Sequence, residues 1–221
     1  KSKKVVLEAL GINMENRCPK KILLVGLGGH SFDYQRMMSL WKVPKDWVVL
    51  VSSVVMKMAQ QQQHHQQHQQ HTQTNITSSE ENGGGFSMCN VIGDGERGRE
   101  NDNEEERGEI RVVDMRLMTK VHQISFVDIM AASDVVLTKT GYATFSEIVL
   151  NGSRCLYVLR DDFQEQKRLV RQLQCSAVAG EVTHDCMMKG DAEFFDLAND
   201  LINRPKMTPA APANVDASKL I

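Results

Sequence analysis

Apolar residues follow two alternating patterns along this chain. Short runs of aliphatic and β-branched residues predict buried strands, and these runs are KKILLV, DWVVLVSSVV, IRVVDM, DVVLTK and RCLYVL. Between them, apolar residues spaced three and four apart predict helices in the segments KKVVLEAL, HSFDYQRMMSLWKV, VHQISFVDIMAAS, TFSEIVLNG, FQEQKRLVRQLQ and AEFFDLANDLINR. Strands that alternate with helices predict an α/β fold, in which a Rossmann-like parallel sheet is covered by helices on both faces.

The composition of the chain changes sharply along its length, which divides it into four segments. Residues 1–58 and 109–204 carry the α/β pattern, and we expect them to form two parts of one domain. Residues 59–108 are rich in Gln and His and then acidic. Such a segment cannot offset the entropy of ordering, so a long disordered insertion is predicted. Residues 205–221 are rich in proline and alanine, which predicts a flexible tail.

The overall charge and the cysteines limit the expected partners and compartment. The formal net charge of −2 gives no general attraction to nucleic acid or to an anionic membrane. The five cysteines are scattered and form no Cys-x-x-Cys pair, which is typical of a reduced, cytoplasmic protein. No apolar run reaches the roughly 20 residues that a membrane-spanning helix requires. We therefore expect a small-molecule ligand, with neither nucleic acid nor a membrane span.

The stretch TKTGYATFSEIVLNG, residues 138–152, is the strongest candidate for a binding site. A strand, a glycine turn and a helix follow one another here, and the N–H groups and dipole at such a helix start favour a phosphate. Within the turn, Lys139 and Thr140 precede Gly141, which lets a ligand come close to the backbone. Glu147, about one helical turn later, can accept hydrogen bonds from both hydroxyls of a ribose.

An ordinary structural role for the same stretch stays open. Thr144 and Glu147 have the Thr-x-x-Glu spacing of a capping box, in which the two side chains only stabilise the helix start. Thr144 can equally donate its hydroxyl to a phosphate. Lys139 can pair with a phosphate or lie solvated at the strand end. The residues by themselves do not decide between these roles.

The sequence GYATFSEIVLNG, followed by Gln166 in DDFQEQ, resembles the nucleotide-sugar-binding half of GT-B glycosyltransferases, in particular those of family 28. The resemblance implies that the domain is one half of a GT-B fold and binds a nucleotide sugar, with UDP as the expected nucleotide. It also implies residue roles: the diphosphate is held by Gly141, Ala143 and Thr144, the ribose hydroxyls by Glu147, and the sugar by Gln166. Glu165 is a neighbour without an assigned role.

A second resemblance covers most of the chain outside the glutamine-rich segment. LEALGI before a GLGG turn, then VPKDWVVLVSS, then DIMAASDVVLTKTGYATFSEIVLNGSRCLYVLRDDFQEQKRLVRQL are similar, in this order, to the glycosyltransferase-like N-terminal region of L-arabinokinase-type proteins. In that arrangement a sugar kinase accompanies the region, so a kinase is an expected partner. The chain departs from the glycosyltransferase pattern at Arg154 and Leu159, where family members usually have proline.

The first glycine turn, GLGGHS, is also expected to face the donor phosphates. The order of the segments around it matches the start of the donor half, which implies that Gly28, Gly29 and His30 lie near the nucleotide sugar. His30 is equally compatible with capping a helix. The turn lacks a Gly-Lys-Ser/Thr ending, which argues against a P-loop nucleotide site.

These resemblances leave three functions open. As half of a glycosyltransferase, the chain transfers a hexosyl group without a metal or other cofactor. An N-terminal domain or a partner chain then supplies the acceptor site and the catalytic base, which is not assigned here. As a non-catalytic module, the chain is a regulatory or scaffold unit associated with a sugar kinase. As a truncated gene product, it binds nothing.

Other residue groups carry weaker indications of function. His184, Cys186 and Cys175 are zinc-ligand types, but a four-ligand set at normal spacing is missing. The histidines within the glutamine-rich segment are interpreted as variation of the tract rather than as a metal site. Asp161 and Asp162 precede a helix, where surface or capping carboxylates are expected more often than sugar contacts.

Overall fold

The structure is a computed structural model that describes residues 1–12, 20–28, 33–52 and 107–207. The described residues form six strands: β1 (Lys21–Gly26), β2 (Trp47–Ser52), β3 (Glu109–Val113), β4 (Val135–Lys139), β5 (Cys155–Val158) and β6 (Ala179–Glu181). They also form eight helices: α1 (Lys3–Ala9), α2 (Tyr34–Leu40), α3 (Met115–Val121), α4 (Phe126–Ala132), α5 (Tyr142–Asn151), α6 (Gln166–Ser176), α7 (His184–Lys189) and α8 (Ala192–Asn203).

All strands of the described chain join one parallel sheet with the order β3-β2-β1-β4-β5-β6. The first three strands run from the centre of the sheet to one edge, and the chain then returns to place β4 on the other side of β1. Val25 of β1 accordingly pairs with Val51 on one side and with Leu137 on the other. This is the strand order of the doubly wound Rossmann fold, so the predicted α/β class is confirmed.

Helices cover both faces of the sheet. On the first face, Leu23 and Val25 of β1 pack with side chains of α2, α7 and α8. On the second face, Ile22 and Leu24 pack with side chains of α1, α3, α4, α5 and α6. Successive residues of a strand point to opposite faces, and both faces here are apolar. This explains why the central strands appear in the sequence as unbroken apolar runs rather than as an alternation.

Several helix boundaries agree with the sequence pattern. Gly11 was predicted to end the first helix. Helix α1 does end just before it, and Gly11 has a positive φ of 69°. Helix α5 ends at Gly152, the left-handed C-cap residue. Helix α2 begins only at Tyr34, four residues later than predicted, because the Asp33 carboxylate accepts a hydrogen bond from the Arg36 N–H and caps the helix there.

The predicted helix over residues 121–133 is wrong in its first half. Val121 ends α3, and the following helix, α4, begins only at Phe126. Ser125 and Asp128 form a capping box, which stops any helix from continuing through Ser125. The preceding helix α3 was not predicted: Asp114 accepts hydrogen bonds from the N–H groups of Arg116 and Leu117, and the chain leaves β3 there.

The sequence pattern also missed β6 and α7. Strand β6 has only three residues, AGE, with no aliphatic run to mark it. It forms because Ala179 and Gly180 pair with Cys155 and Leu156 of β5. Helix α7 is six residues long, and its start is capped by the Thr183 hydroxyl, which accepts from the Cys186 N–H.

The predicted insertion, residues 59–108, lies outside the described residues except at its end. Arg107 forms an antiparallel bridge with Pro44, and the Gly108 N–H donates to the Val43 carbonyl at 2.9 Å. These two residues therefore pack against the segment that precedes β2. The predicted tail is described as far as residue 207, and its remaining residues lie outside the described range.

Candidate functional site

The candidate site lies at the carboxyl edge of the sheet, where β1 and β4 run side by side. The strand order reverses between these two strands, and ligands of open α/β sheets bind in the crevice at such a switch point. The last residues of both strands are tied together here, because the buried Thr138 hydroxyl donates to the Gly26 carbonyl at 3.1 Å. The turns that follow β1 and β4 therefore start next to each other.

Lys139 connects the two turns. A Cβ atom built on Gly28 would lie 3.4 Å from Cε and 3.5 Å from Nζ of Lys139, so the lysine side chain extends from the end of β4 over the β1 turn. The Tyr34 hydroxyl donates to the Gly28 carbonyl at 3.2 Å and holds the turn from the other side. Partial burial lowers the pKa of Lys139, and the positive charge of Arg160 lowers it further. The negative charge of a bound anion would raise this pKa again.

The start of α5 is open for a ligand. Gly141 is the N-cap residue and provides no side-chain cap, and a Cβ built on it would meet only the Lys139 carbonyl oxygen, at 4.0 Å. Within the described residues, the N–H groups of Tyr142, Ala143 and Thr144 find no hydrogen-bond acceptor. Thr144 lies inside the helix, so the alternative prediction of a Thr144–Glu147 capping box is wrong.

Glu147 lies on the flank of α5 that faces away from α6. The opposite flank, with Tyr142, Ser146 and Val149, lines a groove of about 380 Å³ between α5 and α6. Thr144 and Glu147, three residues apart, share one flank of the helix, and α4 contacts both α5 and β1. The Glu147 carboxylate is half-buried, and no side chain or N–H group of the described chain bonds to it.

The nearby Asn151 side chain does not bind the Glu147 carboxylate, which can therefore accept hydrogen bonds from a ligand. The side-chain amide of Asn151, one turn further along α5, donates to the Glu147 backbone carbonyl at 2.7 Å rather than to the carboxylate. Glu147 stands four residues after Ala143, which corresponds to about 6 Å along the helix axis. A group bound at the helix start and extending over this flank would therefore reach the carboxylate.

Gln166 inserts its side-chain amide between the ends of β4 and β5. The two strands are still paired where the Thr140 N–H donates to the Val158 carbonyl at 3.1 Å. Continuing this register would pair the Arg160 N–H with the Thr140 carbonyl. Instead, the Arg160 N–H donates to Oε1 of Gln166 at 2.9 Å, and the Thr140 hydroxyl donates to the same oxygen at 3.4 Å. The strands separate at this point and leave the amide at the edge of the crevice.

A polar and aromatic cluster joins the β4–α5 turn to the β5–α6 loop. The Tyr142 hydroxyl donates to the Glu165 carboxylate, and the Tyr142 ring meets the edge of Phe163 at a centroid distance of 5.8 Å. The Arg160 guanidinium lies 5.3 Å from the Phe163 ring centroid and pairs with Asp162 through hydrogen bonds of 3.0 and 2.9 Å. Sequence reasoning missed Tyr142, Phe163 and Arg160, because only the fold brings the two loops together.

Phe126 forms the wall of the crevice on the β1 side. A Cβ built on Gly26 would lie 2.9 Å from the Phe126 ring, so a larger residue at position 26 would collide with it. Phe126 begins α4, directly after the loop of residues 122–125, in which Gln123 has a positive φ of 51°. The switch point is therefore bounded by this loop, the β1 turn and the start of α5.

The structure brings most of the predicted site residues to one edge of the sheet. Around the start of α5 and the end of β4 lie Gly28, Lys139, Thr140, Gly141, Ala143, Thr144 and Glu147, with Glu165 and Gln166 in the adjacent loop and helix. Gly29 and His30 lie outside the described residues. Thr140 is fully buried, so its side chain acts on Gln166 and is not exposed at the crevice.

The other candidate residues are placed apart from this edge or in ordinary surface positions. Cys186 belongs to the core of the first face, whereas Cys175 is exposed on α6, which covers the second face. No cluster of three metal-ligand side chains occurs among the residues that the structure describes. Asp162 binds Arg160, and Asp161 is exposed. In the described ranges, no helix is long and apolar enough to cross a membrane.

Comparison with known proteins finds structural likenesses but no sequence relative. No protein-family model matches the chain, and no curated protein matches it. The solved structures that match include the glycosyltransferase SnogD from Streptomyces nogalater, at 12% sequence identity and a TM-score of 0.39. The match covers 94% of this chain and 44% of SnogD, so the chain spans less than half the length of that protein. The fold assignment above rests on the strand order and register of the chain itself.

Proposed function

We propose that the chain is the nucleotide-sugar-binding half of a glycosyltransferase that transfers a hexosyl group, with a UDP-sugar as the donor. The observation that carries the proposal is the arrangement at the start of α5. An uncapped helix start opens onto the switch point, and a carboxylate without a partner in the described chain lies one turn along the same flank. This combination provides donors for a diphosphate and an acceptor for a ribose diol.

The diphosphate is assigned to the turn between β4 and α5. The free N–H groups of the first helical turn can donate to phosphate oxygens, and the helix dipole contributes about 0.3–1 kcal/mol per charge there. The open space at Gly141 lets those oxygens approach the backbone. Lys139 adds a positive charge beside this turn, with its side chain over Gly28. As the sugar leaves, the same groups stabilise the charge that develops on the diphosphate.

The ribose is assigned to Glu147 and the base to the crevice wall. A carboxylate accepts two hydrogen bonds from adjacent hydroxyls, and Glu147 lies five residues, or about 7.5 Å, along the helix axis from Tyr142, the first residue of α5. The base then lies towards Phe126, which begins α4 directly after the 122–125 loop. Gln166, with Glu165 beside it, remains for the sugar at the other end of the donor.

The proposal requires a second component for catalysis. We assign no general base within the described residues, so acceptor binding and deprotonation are attributed to an N-terminal domain or a partner chain. The resemblance to L-arabinokinase-type proteins makes a sugar kinase a further proposed partner, and a cytoplasmic location suits its substrates. If the chain binds a nucleotide sugar without any acceptor domain, it is a regulatory or scaffold module of that kinase.

The proposal is tested by calorimetric titration of UDP, ADP, GDP and UDP-sugars into the full chain and into Glu147→Gln. We expect saturable binding of UDP, weakened in the variant by about 1–3 kcal/mol, or about 5- to 150-fold, because hydrogen bonds to a charged group are lost. Glu193→Gln is the matched control, because Glu193 is exposed in the first turn of α8 on the other face of the sheet.

Three results would argue against this assignment. A folded chain that binds no nucleotide would refute the donor site. An equal loss of affinity in Glu147→Gln and Glu193→Gln would show a general charge effect. A Glu147→Gln protein with a large drop in melting temperature would show that the carboxylate has a structural role.

A further inference from the structure

We propose that the Arg160 N–H and the Thr140 hydroxyl together hold the Gln166 amide in one orientation, with Thr140 as a positioning residue, so that Gln166 can offer only N–H donors to the sugar. The inference rests on the proposed function, because it concerns the sugar end of the same site. It identifies the chemical class of the group that meets Gln166: an oxygen of the sugar that accepts hydrogen bonds.

The orientation of the amide follows from its two neighbours. A backbone N–H can only donate, so the atom 2.9 Å from the Arg160 N–H must be the amide oxygen and not the NH₂ group. Turning the amide over would place two donors against each other. The Thr140 hydroxyl, which can donate or accept, then donates to the same oxygen at 3.4 Å.

The contacts use up the accepting capacity of Gln166. An amide oxygen has two lone pairs, and the Arg160 N–H and Thr140 O–H occupy both. The amide nitrogen has two N–H groups, and no acceptor for them occurs among the described residues. Since Gln166 is half-buried at the edge of the crevice, these N–H groups are what the side chain presents to a ligand.

Thr140 is suited to this role because it is itself immobile. Its side chain is fully buried, and its N–H donates to the Val158 carbonyl at 3.1 Å. The position of the hydroxyl is therefore fixed, and it does not shift if the Gln166 side chain rotates. The two ends of the donor then meet opposite polarities. Glu147 can only accept from the ribose, and Gln166 can only donate to the sugar.

Gln166→Glu changes the hydrogen-bonding polarity of the side chain that faces the sugar but keeps its size and position. One carboxylate oxygen can still accept from the Arg160 N–H and the Thr140 hydroxyl, while the other now presents an acceptor where the wild type presents donors. We expect the ratio of UDP-glucose or UDP-galactose affinity to UDP affinity to fall about 3- to 10-fold, as for the loss of one hydrogen bond. UDP carries more negative charge than a UDP-sugar, so general repulsion by the added carboxylate would raise this ratio rather than lower it.

Thr140→Val and Thr140→Ser test the lock itself. Valine removes the hydroxyl from a side chain of similar shape, and we expect the same affinity ratio to fall about 3- to 10-fold. Serine keeps the hydroxyl and is expected to stay within about twofold of the wild type, because the hydrogen bond is retained.

Amide hydrogen exchange provides a readout that needs no ligand. The Arg160 N–H is expected to be protected in the full-length wild-type chain and in Gln166→Glu, which keeps the acceptor. In Gln166→Ala it is expected to exchange about 5- to 10-fold faster, because the acceptor is lost.

The results distinguish this inference from the proposed function. An unchanged affinity ratio in Gln166→Glu would overturn the donor-only role of Gln166, and an unchanged ratio in Thr140→Val would overturn the role of Thr140. Equal wild-type affinities for UDP and both UDP-sugars would overturn the sugar contact while leaving nucleotide binding intact. A wild-type chain that binds neither UDP nor a UDP-sugar would refute the proposed function and the ligand contact together, even if exchange showed the locked amide.

Discussion

Gly190→Ala is expected to destabilise the fold far more than an ordinary helix-cap substitution. Gly190 ends α7 in the left-handed conformation, with φ 52° and ψ 40°. A Cβ built on it would lie 2.5 Å from Nε1 of Trp41 and closer still to Cγ and Cδ1 of the same ring. The indole therefore packs directly against the glycine backbone, in the space that any side chain would need.

Trp41 cannot easily move to make that space. Its ring is 7% exposed and packs against Phe194 and Phe195 at centroid distances of 4.9 and 6.0 Å. The indole N–H donates to the Met187 carbonyl at 2.9 Å, and the Lys42 N–H donates to the Gly190 carbonyl at 2.9 Å. Displacing the ring would break at least the first of these bonds and open the core of the first face.

The expected cost has two parts. An alanine in the left-handed conformation costs about 1–2 kcal/mol. Forcing extra volume into a packed core costs about 1–3 kcal/mol more. We therefore expect Gly190→Ala to lower the free energy of unfolding by about 2–5 kcal/mol, a large part of the roughly 5–15 kcal/mol that stabilises a typical domain.

Urea unfolding followed by tryptophan fluorescence measures this loss, because both tryptophans, Trp41 and Trp47, are buried. Gly152→Ala is the matched control: Gly152 has φ 60° at the end of α5 but lies away from Trp41, so only the conformational part, about 1–2 kcal/mol, is expected. Equal losses in the two variants would refute the steric part of the reasoning. A loss below about 1 kcal/mol in Gly190→Ala would refute both parts.

Two further predictions concern a helix cap and a buried thiol. Ser125→Ala removes one half of the capping box at the start of α4 and is expected to cost about 0.5–2 kcal/mol in urea unfolding, whereas Ser125→Thr, which keeps the hydroxyl, should cost little. Burial raises the pKa of the Cys155 thiol, so its contribution to stability is fully present below the ordinary thiol pKa of about 8.5 and is lost as the pH rises above it. Between pH 8.5 and 9.5, Cys155→Ala should reduce the fall in unfolding free energy by up to about 1.4 kcal/mol, and an unchanged slope would contradict this.

The amino-acid sequence determined the elements whose signal is local. The unbroken apolar runs of β1, β2 and β4 mark strands buried on both faces, and the glycines after α1 and α5 mark helix ends. The alternation of these elements was enough to predict a parallel sheet with helices on both sides. The strand–turn–helix at residues 138–152 was likewise visible, because a glycine turn between an apolar run and an amphipathic segment is a local pattern.

Some local signals were present but ambiguous. Ser125 and Asp128 have the spacing of a capping box, yet the apolar residues on both sides also fit one continuous helix. Thr144 and Glu147 have the same kind of spacing but lie within a helix that starts two residues earlier, at Tyr142. A capping motif marks the start of a helix only where the backbone before it is not helical. The residue types alone do not reveal that backbone conformation.

Only the tertiary structure decided which distant segments meet. Strand β6 exists because β5 offers it a pairing edge, and the Gln166 amide is held by Arg160 and Thr140 from two different strand ends. The Tyr142–Glu165 hydrogen bond and the packing of Trp41 on Gly190 have the same origin. Hydrophobic periodicity and capping act within a few residues of each other, whereas these contacts, apart from that of Arg160 with Gln166, join groups more than 20 residues apart. They appear only once the sheet has set the positions of its strands.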